Sequence, residues 1–371
     1  MKKALSGALV LALALGACSS GSGSSDLTLV SLGIVSPLSG DAAVFGEEMQ
    51  HVFEYALPTL NEVAAAQGYQ FELVYEDGQC DGAMAATAVQ KLADFDNVEF
   101  IIGGVCSSES LAIAPLLEEN GMLALSSTSS SPELRGASEY LFSLSYSDDG
   151  VGKEIAHQLS EYSTVAILSE QSEYSQAMLA VVQDNIGDDT EVIYLEEYEG
   201  GQTNFRNSLE KLQAVGAEAI FINPNVGAAP TAIATQMEEI GAWDGFMISQ
   251  FAMGTDDIVS LDLDAMDGLM VVDAPRPDAT TFLSMVDEIT NTQGSVENIG
   301  NYYVAATYDA LMILTDLIME HDGDVAAVQA ALSSGNFEGY LGDNLSFGGE
   351  TFVQGVGTAN FEIRDGELLS L

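Results

Sequence analysis

The chain alternates short apolar runs with amphipathic stretches from residue 27 onward. The apolar runs have the length of strands and are hydrophobic at most positions, which is typical of parallel strands buried on both faces. They are Leu27–Val35, Phe71–Glu76, Val98–Gly103, Met122–Ser126, Thr164–Ser169, Val192–Tyr198, Ala217–Asn223, Gly245–Ser249 and Gly268–Val272. Helical spacing of apolar residues separates them, as in Met49, Val52, Phe53, Ala56, Leu57 and Leu60. This order predicts an α/β fold with doubly wound parallel sheets.

The number of predicted strands indicates two lobes, because one sheet rarely holds so many. A polar stretch at 146–152 is suited to a first passage between the lobes, and the Pro- and Asp-containing stretch at 272–277 to the return. We therefore expect lobe 1 to comprise residues 27–148 and 274–340, and lobe 2 residues 149–273 and 341–371. Two such lobes joined by a multi-strand hinge leave a cleft, where ligands bind at the carboxyl ends of strands.

The N-terminus has the pattern of a secretory signal. Met1-Lys2-Lys3 precedes an apolar run, Ala4–Leu15, that is too short to span a bilayer. The run ends in Leu15-Gly16-Ala17-Cys18, which resembles the bacterial lipobox, where the cysteine becomes the lipidated first residue. We expect a signal peptide at residues 1–17, a lipidated tether at residues 18–26, and a mature protein anchored by lipid to a membrane on the periplasmic side of the envelope.

The composition excludes intrinsic disorder, because 47% of the residues are hydrophobic. The chain has 57 Asp and Glu against 9 Lys and Arg, for a formal net charge of −48, so nucleic acids are poor partners for the folded part. The acids are scattered along the chain. They indicate either an ordinary acidic protein or a surface adapted to high external salt, where screening relieves self-repulsion.

Two cysteines remain after the N-terminal one, Cys80 and Cys106. Outside the cytosol they are expected to pair as a disulfide. Two separate buried thiols are the alternative. Metal binding is less favoured, because no histidine or third cysteine lies nearby in sequence.

Motifs for catalysis are mostly missing from the sequence. The three histidines lie in predicted helices, outside any HExxH motif, and there is neither a GxSxG elbow nor a complete phosphate-binding loop. We therefore expect a protein that is not an enzyme and needs no cofactor or metal.

Two strand ends carry polar groups suited to ligand binding. The run Phe100–Ser108 ends in Gly and Ser just before a predicted helix, whose free N–H groups suit a carboxylate. The next strand is followed by six hydroxyl residues, Ser126–Ser131. Capping is the alternative for Ser107, and it accounts for Ser131 before Pro132. Together the two strand ends predict a site for a small polar or anionic ligand.

The sequence resembles the branched-chain amino-acid binding proteins, the type I periplasmic substrate-binding family of ABC importers. The similarity runs from about residue 27 to the C-terminus and rests on several motifs. These are Ser36-Pro-Leu-Ser-Gly40 with Phe45-Gly46, Tyr75-Glu-Asp77-Gly-Gln-Cys80, Lys91-Leu92, Ile102-Gly-Gly-Val-Cys106-Ser107-Ser108, Ala114-Pro115, Ser126–Leu134 and Ala306-Thr307-Tyr308-Asp309-Ala310-Leu311. The resemblance also implies the disulfide between Cys80 and Cys106.

The resemblance implies a ligand-binding set. Ser107 and Ser130 would hold a ligand carboxylate, and the carbonyl of Thr128 would be available to an ammonium. Asp148 matches a family acid at the lobe crossing that can pair with an amine, and Tyr174 matches a second-lobe tyrosine that closes on the ligand. A hinge-stabilising role for Asp148 and a packing role for Tyr174 are the alternatives.

Two positions depart from the family pattern. Gln250 stands where the branched-chain amino-acid binders have a glutamate against the ammonium, and Asn225 where they have a tyrosine. A neutral amide cannot neutralise a buried ammonium. Either Asp148, with Glu109 or Glu173, supplies the anion, or the ligand is an amide or a small carboxylate.

Aromatic residues would complete the site. Phe45, Tyr302 and Tyr303 are candidates for the pocket around the ligand side chain, and core packing is the alternative for each.

These features predict a lipid-anchored solute-binding protein of an ABC importer that captures a small amino acid, amide or carboxylate between two lobes. Its partners would be that ligand, a membrane permease and, through the anchor, the membrane, and we expect a monomer. The alternative is a regulatory or envelope-assembly lipoprotein that uses the same fold to bind a protein partner.

Overall fold

A computed structural model describes residues 27–241 and 243–371. The predicted signal peptide, the tether and the lipidated Cys18 lie outside the described residues.

The first part of the chain builds a five-stranded parallel sheet in the order β2-β1-β3-β4-β5. Its elements are β1 (Thr28–Ser36), α1 (Ala43–Ala66), β2 (Tyr69–Asp77), α2 (Gly82–Asp94), β3 (Phe100–Gly103), α3 (Ser107–Asn120), β4 (Leu123–Ser126) and β5 (Leu141–Ser143). The strand β3 is buried at all four positions, as its uninterrupted apolar run predicts. Asp81 caps α2 by accepting a hydrogen bond from the Met84 N–H.

The second part builds a seven-stranded sheet. Its elements are α4 (Asp148–Leu159), β6 (Thr164–Glu170), α5 (Glu173–Asn185), β7 (Glu191–Tyr198), α6 (Arg206–Ala214), β8 (Ala219–Asn223), α7 (Ala228–Ile240), β9 (Phe246–Gln250), α8 (Asp256–Val259) and β10 (Leu269–Asp273). The strands β10, β9, β8, β6 and β7 are parallel. The nine predicted strands are therefore confirmed, and so is the α/β class with parallel-sheet lobes.

The rest of the chain is shared between the two sheets. It contains α9 (Thr280–Thr292), α10 (Gly300–Glu320), α11 (Val325–Ser334), β11 (Asn336–Gly339), β12 (Gly342–Ser346), β13 (Ala359–Arg364) and β14 (Glu367–Ser370). Helices α9 and α10 pack on α1 of the first lobe. Strands β13 and β14 extend the second sheet in antiparallel fashion beyond β10. The pattern of apolar runs did not predict these strands, because they are short and alternate in exposure.

The chain crosses between the sheets three times. The first crossing is short, since β5 ends at Ser143 and α4 already begins at Asp148. The second joins β10 to α9. Before the third, Phe352 bridges to Ser143 at the edge of the first sheet. Because β12 pairs with β11 and Phe352 bridges to Ser143, we propose that the last crossing lies at 353–358 and not at the predicted boundary of 340–341.

Candidate ligand-binding site

A small cavity lies between the two lobes, where strands of both sheets end. The centre of a water molecule can move through about 60 Å³ of it. One buried water needs roughly 10–15 Å³ on this measure, so the space suits a small solute and not a peptide or an oligosaccharide. It is lined by Ala42, Phe45, Val105, Cys106, Ser107, Thr128, Ser130, Tyr174, Asn225, Val226, Phe251 and Tyr303.

Two glycines bring helix α3 to the cavity. A Cβ on Gly103 would lie 2.3 Å from the Val35 carbonyl oxygen, and one on Gly104 would lie 2.4 Å from Cβ of Glu109. Neither position tolerates a side chain without a shift of its neighbours, so the backbone after β3 can turn tightly into α3. The helix N-terminus is thereby held at the cavity wall.

Ser107 is the first residue of α3 and is 3% exposed. Its Oγ accepts a hydrogen bond from the Ser131 N–H at 3.3 Å, which leaves the hydroxyl proton available. The amides of Ser107 and Ser108 donate no hydrogen bond to any residue within 27–241 or 243–371. These groups form an anion-binding corner of the kind found at helix N-termini.

The carboxylate of Glu109 stabilises this anion-binding corner through hydrogen bonds to backbone N–H groups. Its carboxylate accepts hydrogen bonds from the N–H groups of Cys80 at 3.0 Å, Val105 at 2.8 Å and Cys106 at 2.9 Å. Burial raises the pKa of Glu109 to about 7, although the three hydrogen bonds oppose the shift. Glu109 is fully buried away from the cavity lining, so it is not placed to neutralise a ligand ammonium.

The expected disulfide between Cys80 and Cys106 is present, with Cα atoms 5.2 Å apart. It ties the loop after β2 to the residue that immediately precedes α3. The hydroxyl of Ser108 adds a hydrogen bond of 2.9 Å to the Cys80 carbonyl. The corner that presents Ser107 is therefore cross-linked to the neighbouring strand connection.

Most hydroxyls of the Ser126–Ser131 run serve the loop itself. Ser126 and Ser129 both donate to the Gly104 carbonyl, at 2.7 and 2.9 Å. Thr128 donates its hydroxyl to the Val105 carbonyl at 2.6 Å, so its side-chain oxygen, like its backbone carbonyl, can serve a ligand only as an acceptor. Hydrogen bonds within the first lobe thus account for more of the run than the capping role expected for Ser131, because buried polar groups need hydrogen-bond partners.

Ser130 lines the cavity and is the member of the run that contacts an acid. Its hydroxyl donates to Oδ2 of Asp148 at 2.8 Å, and its carbonyl accepts from the Asp148 N–H at 2.9 Å. Ser130 belongs to the first lobe and Asp148 begins α4 of the second. The pair therefore joins the lobes at the first crossing, directly behind the cavity.

Asp148 is 1% exposed and does not itself line the cavity. Burial raises its pKa to about 7, and the nearby carboxylates of Asp273 and Asp149 act in the same direction. Asp273 accepts a hydrogen bond of 2.8 Å from the Tyr146 hydroxyl and is also buried. Sequence reasoning missed Asp273, although its position at the end of strand β10 was a usable signal.

The second lobe contributes a phenol and two amides. Tyr174 donates its hydroxyl to Oε1 of Gln250 at 3.0 Å. Gln250 also accepts from the Ala252 N–H and donates to the Pro224 carbonyl, so both ends of its amide are occupied. Gln250 stands behind Tyr174 and does not line the cavity. Glu173 is exposed at the start of α5 and does not line it either.

Asn225 lines the cavity from the loop after β8. Its Oδ1 accepts from the Val226 N–H at 2.8 Å, and its backbone N–H donates to Glu170 at 3.2 Å. Its Nδ2 donates to no described residue, so it is a donor that can serve a ligand.

An aromatic wall closes the cavity. Phe251 of the second lobe lies between two rings of the first lobe, with centroids 6.0 Å from Phe45 and 4.8 Å from Tyr303. Tyr302 packs behind them and donates its hydroxyl to the Leu144 carbonyl at 2.9 Å. Phe45 and Tyr303 thus lie where expected, whereas Tyr302 is core. Phe251 was missed, although it directly follows the end of β9.

No residue of the cavity lining carries a full charge. Within residues 27–241 and 243–371, His, Cys, Asp and Glu form no group of three or more that could hold a metal ion. In the same part of the chain, none of the helices combines the length and apolar character needed to cross a membrane.

Comparison with known proteins agrees with this fold. The family model described as "Periplasmic binding protein" matches residues 30–359. A leucine-, isoleucine-, valine-, threonine- and alanine-binding protein of Pseudomonas aeruginosa is 23% identical over 330 residues, covering 86% of this chain and 85% of that protein.

Two solved structures share the fold. A solute-binding protein of an ABC transporter from Rhodopseudomonas palustris, in complex with 3,4-dihydroxybenzoic acid, has a TM-score of 0.80 at 17% identity, covering 92% of this chain and 96% of its own. A branched-chain amino-acid transporter substrate-binding protein from Streptococcus pneumoniae, in complex with isoleucine, has a TM-score of 0.76 at 19% identity and covers 93% of this chain and 99% of its own. With two parallel-sheet lobes around a hydroxyl-lined cleft and a family match over most of its length, the chain belongs to the periplasmic binding proteins and has their type I fold.

Proposed function

We propose that this protein is the lipid-anchored solute-binding component of an ABC importer and that it captures a small solute bearing a carboxylate. The observation that carries the proposal is the corner at the start of α3, where the Ser107 hydroxyl and the amides of Ser107 and Ser108 are free to donate. Such a corner stabilises an anion without a basic side chain. Binding and lobe closure would suffice, with no covalent step.

The remaining cavity groups favour a ligand with an apolar or aromatic body. Phe45, Phe251 and Tyr303 offer ring faces and edges, and Val105 and Val226 add aliphatic surface. Apolar pockets with a few placed polar groups are the usual form of small-molecule sites. An amino acid and an aromatic carboxylate both fit this description, and each is bound by one of the structural relatives.

A mass measurement on the purified protein tests the proposal first. We would denature the full-length protein, identify any released small molecule by mass spectrometry, and then measure calorimetric binding of amino acids, amides and small carboxylates. Affinity for at least one carboxylate in the micromolar range or tighter is expected. If carboxylates fail to bind while a ligand without a carboxylate does, the assignment of the α3 corner is wrong.

The lipid anchor is a separate part of the proposal and rests on the motif that ends in Cys18. In a bacterial host the wild-type protein should partition into the detergent phase of Triton X-114. The Cys18→Ser variant should accumulate as an unprocessed precursor, with the mass of residues 1–17 retained. Equal partitioning and equal mass of the two proteins would contradict lipidation at this residue.

We also propose that the protein works in high salt. The ion pairs within the described residues involve the cations Lys91, Arg135, Arg206, Lys211 and Arg364. With 57 acids against 9 bases, most carboxylates cannot have a cationic partner. The thermal midpoint should therefore rise with NaCl up to molar concentration as repulsion is screened. Sucrose at equal osmolality is the control, and a flat response to NaCl would oppose the proposal.

A further inference from the structure

The contact between Ser130 and Asp148 fixes the direction of one hydrogen bond at the ligand. Asp148 has no proton to give when it is ionised, so the Ser130 hydroxyl must donate to it, as it does at 2.8 Å. The Ser130 oxygen then presents only lone pairs to the cavity. The carbonyl of Thr128, in the same lining, is also an acceptor. This side of the cavity therefore accepts hydrogen bonds, while the Ser107 side donates them.

An amino acid matches this polarity. Its carboxylate would accept from the Ser107 corner, and its ammonium would donate to Ser130 and Thr128. A hydroxy acid matches it as well, with one donor in place of three. A plain carboxylate held at the Ser107 corner does not, because it brings no proton to the Ser130 oxygen, which is left as a buried acceptor without a donor.

Protonation of Asp148 would let the site accept a carboxylate that brings no hydrogen-bond donor. Protonated Asp148 can donate to the Ser130 oxygen, which releases the Ser130 hydroxyl to donate to a ligand carboxylate. The surroundings of Asp148 favour this proton. The titratable groups that interact electrostatically with Asp148 are all acids or phenols. They come from the hinge and from α4, α5, β10 and α10, and they are Asp149, Asp273, Tyr146, Tyr174 and Tyr303. No cation opposes them among the groups that act on Asp148 within the described residues.

We infer that Asp148 is the residue that sets ligand class. Ionised, it makes Ser130 an acceptor and selects carboxylates that carry an α-ammonium or α-hydroxyl. A carboxylate without such a donor binds only together with one proton, which is taken from solvent and held on Asp148. This inference rests on the proposed function, since it assumes that the carboxylate lies at the Ser107 corner. The neutral amide of Gln250 does not weaken it, because a zwitterion brings its own counter-charge.

The experiment compares three ligands that differ in one substituent. They are L-isoleucine, 2-hydroxy-3-methylpentanoate and 3-methylpentanoate, each titrated calorimetrically into the full-length protein between pH 6 and pH 9. Repeating each titration in phosphate and in Tris gives the number of protons taken up, because the two buffers differ in ionisation enthalpy. No variant is needed for this measurement, so folding defects cannot obscure it.

We expect the amino acid and the hydroxy acid to bind with no proton uptake near pH 8. The deaminated analogue should take up close to one proton there, and its Kd should rise about tenfold for each pH unit at the alkaline end of the range. Proton uptake that is equal for the three ligands, or zero for the deaminated analogue, would overturn the inference while leaving the proposed function intact. If none of the three binds, while other carboxylates do, the inference also falls, because the site would not take the class for which it was derived.

The variant Asp148→Asn sharpens the test. It carries no titrating proton at this position, so the pH dependence and the proton uptake of the deaminated analogue should both vanish. The matched control is Glu173→Gln, which removes an exposed carboxylate next to Tyr174 and should leave the proton uptake unchanged. A variant Asp148→Asn that is folded and still takes up one proton would show that another acid responds.

Discussion

The two walls of the cleft are built differently. The first-lobe wall is cross-linked and dense in backbone contacts: a disulfide, the three hydrogen bonds accepted by Glu109, and the serines bonded to the Gly104 carbonyl. Within the described residues the second-lobe wall has no disulfide, and Tyr174 is supported by Gln250, whose amide bonds to the Pro224 carbonyl and the Ala252 N–H. The difference fits the proposed function, in which a preorganised first lobe would hold the carboxylate and the second lobe would close over the rest of the ligand.

The disulfide is the strongest test of that difference. Replacing both cysteines, as in Cys80→Ser with Cys106→Ser, should destabilise the protein by about 3 kcal/mol, because the bond closes a 26-residue separation. The single tryptophan, Trp243, lies in the second lobe. Its fluorescence transition in urea should therefore shift less than the circular dichroism transition. Equal shifts of both would show that the lobes unfold as one unit.

Removal of the Ser107 hydroxyl should have the next largest effect. A hydrogen bond to a charged ligand group contributes about 1.5–3 kcal/mol, so Ser107→Ala should weaken binding of a carboxylate by about 10- to 100-fold. Ser110→Ala is the matched control. It is the same change on the same helix, but Ser110 bonds to the Gly104 carbonyl and does not line the cavity. A comparable loss of affinity in both variants would mean that the effect is structural.

The buried acids predict a dependence of stability on pH. Burial raises the pKa of Asp148 and Glu109 to about 7 and that of Asp309 to about 6, above their values in an unfolded chain. The folded state then binds more protons than the unfolded state, so stability should fall as pH rises from 5.5 to 8. The free energy of unfolding should fall by about 1 kcal/mol per pH unit for each group that titrates. Urea unfolding across this range measures it.

Asp148→Asn serves as the control for that series, since it removes one of the three groups and should reduce the slope. A stability that rises with pH over the same range would contradict the raised pKa values of these acids.

Loss of the Tyr174 hydroxyl should have the smallest effect. Tyr174→Phe removes one neutral hydrogen bond to Gln250, which corresponds to a two- to tenfold loss of affinity. The change should appear in the dissociation rate, because the second-lobe wall acts after the carboxylate is held. Tyr162→Phe, remote from the cavity and stacked on Phe246, is the control. A loss larger than that of Ser107→Ala would reverse the ranking of the two walls.

The parallel sheets could be predicted from sequence, because buried strands such as β3 and β8 are continuous apolar runs. The C-terminal strands could not, since β12 and β14 are short and partly exposed, and each pairs with the short antiparallel strand that precedes it. Helix α4 begins at Asp148, inside the polar stretch 146–152 that was predicted as a passage between the lobes. Ser147 caps it, and the acids Asp148 and Asp149 occupy its first turn.

The candidate site also has a part that could be predicted from the sequence and a part that could not. Ser107, Thr128, Ser130, Tyr174, Asn225 and Phe45 line the cavity at their expected positions. The roles of Asp148 and Gln250 depend on which partner each side chain finds, and these partners are 18 and 76 residues distant from the bonded residue in sequence. Residue type alone could not distinguish a group that contacts the ligand from one that supports such a group.

The placement of Phe251 between Phe45 and Tyr303 has a thermodynamic consequence. The central ring comes from one lobe and its two neighbours from the other, so separating the lobes would hydrate aromatic faces that are otherwise in contact. Hydration of apolar surface raises the heat capacity. Ligand capture should therefore carry a negative heat-capacity change larger than the ligand's own apolar area explains, a signature more familiar from protein folding than from small-molecule binding.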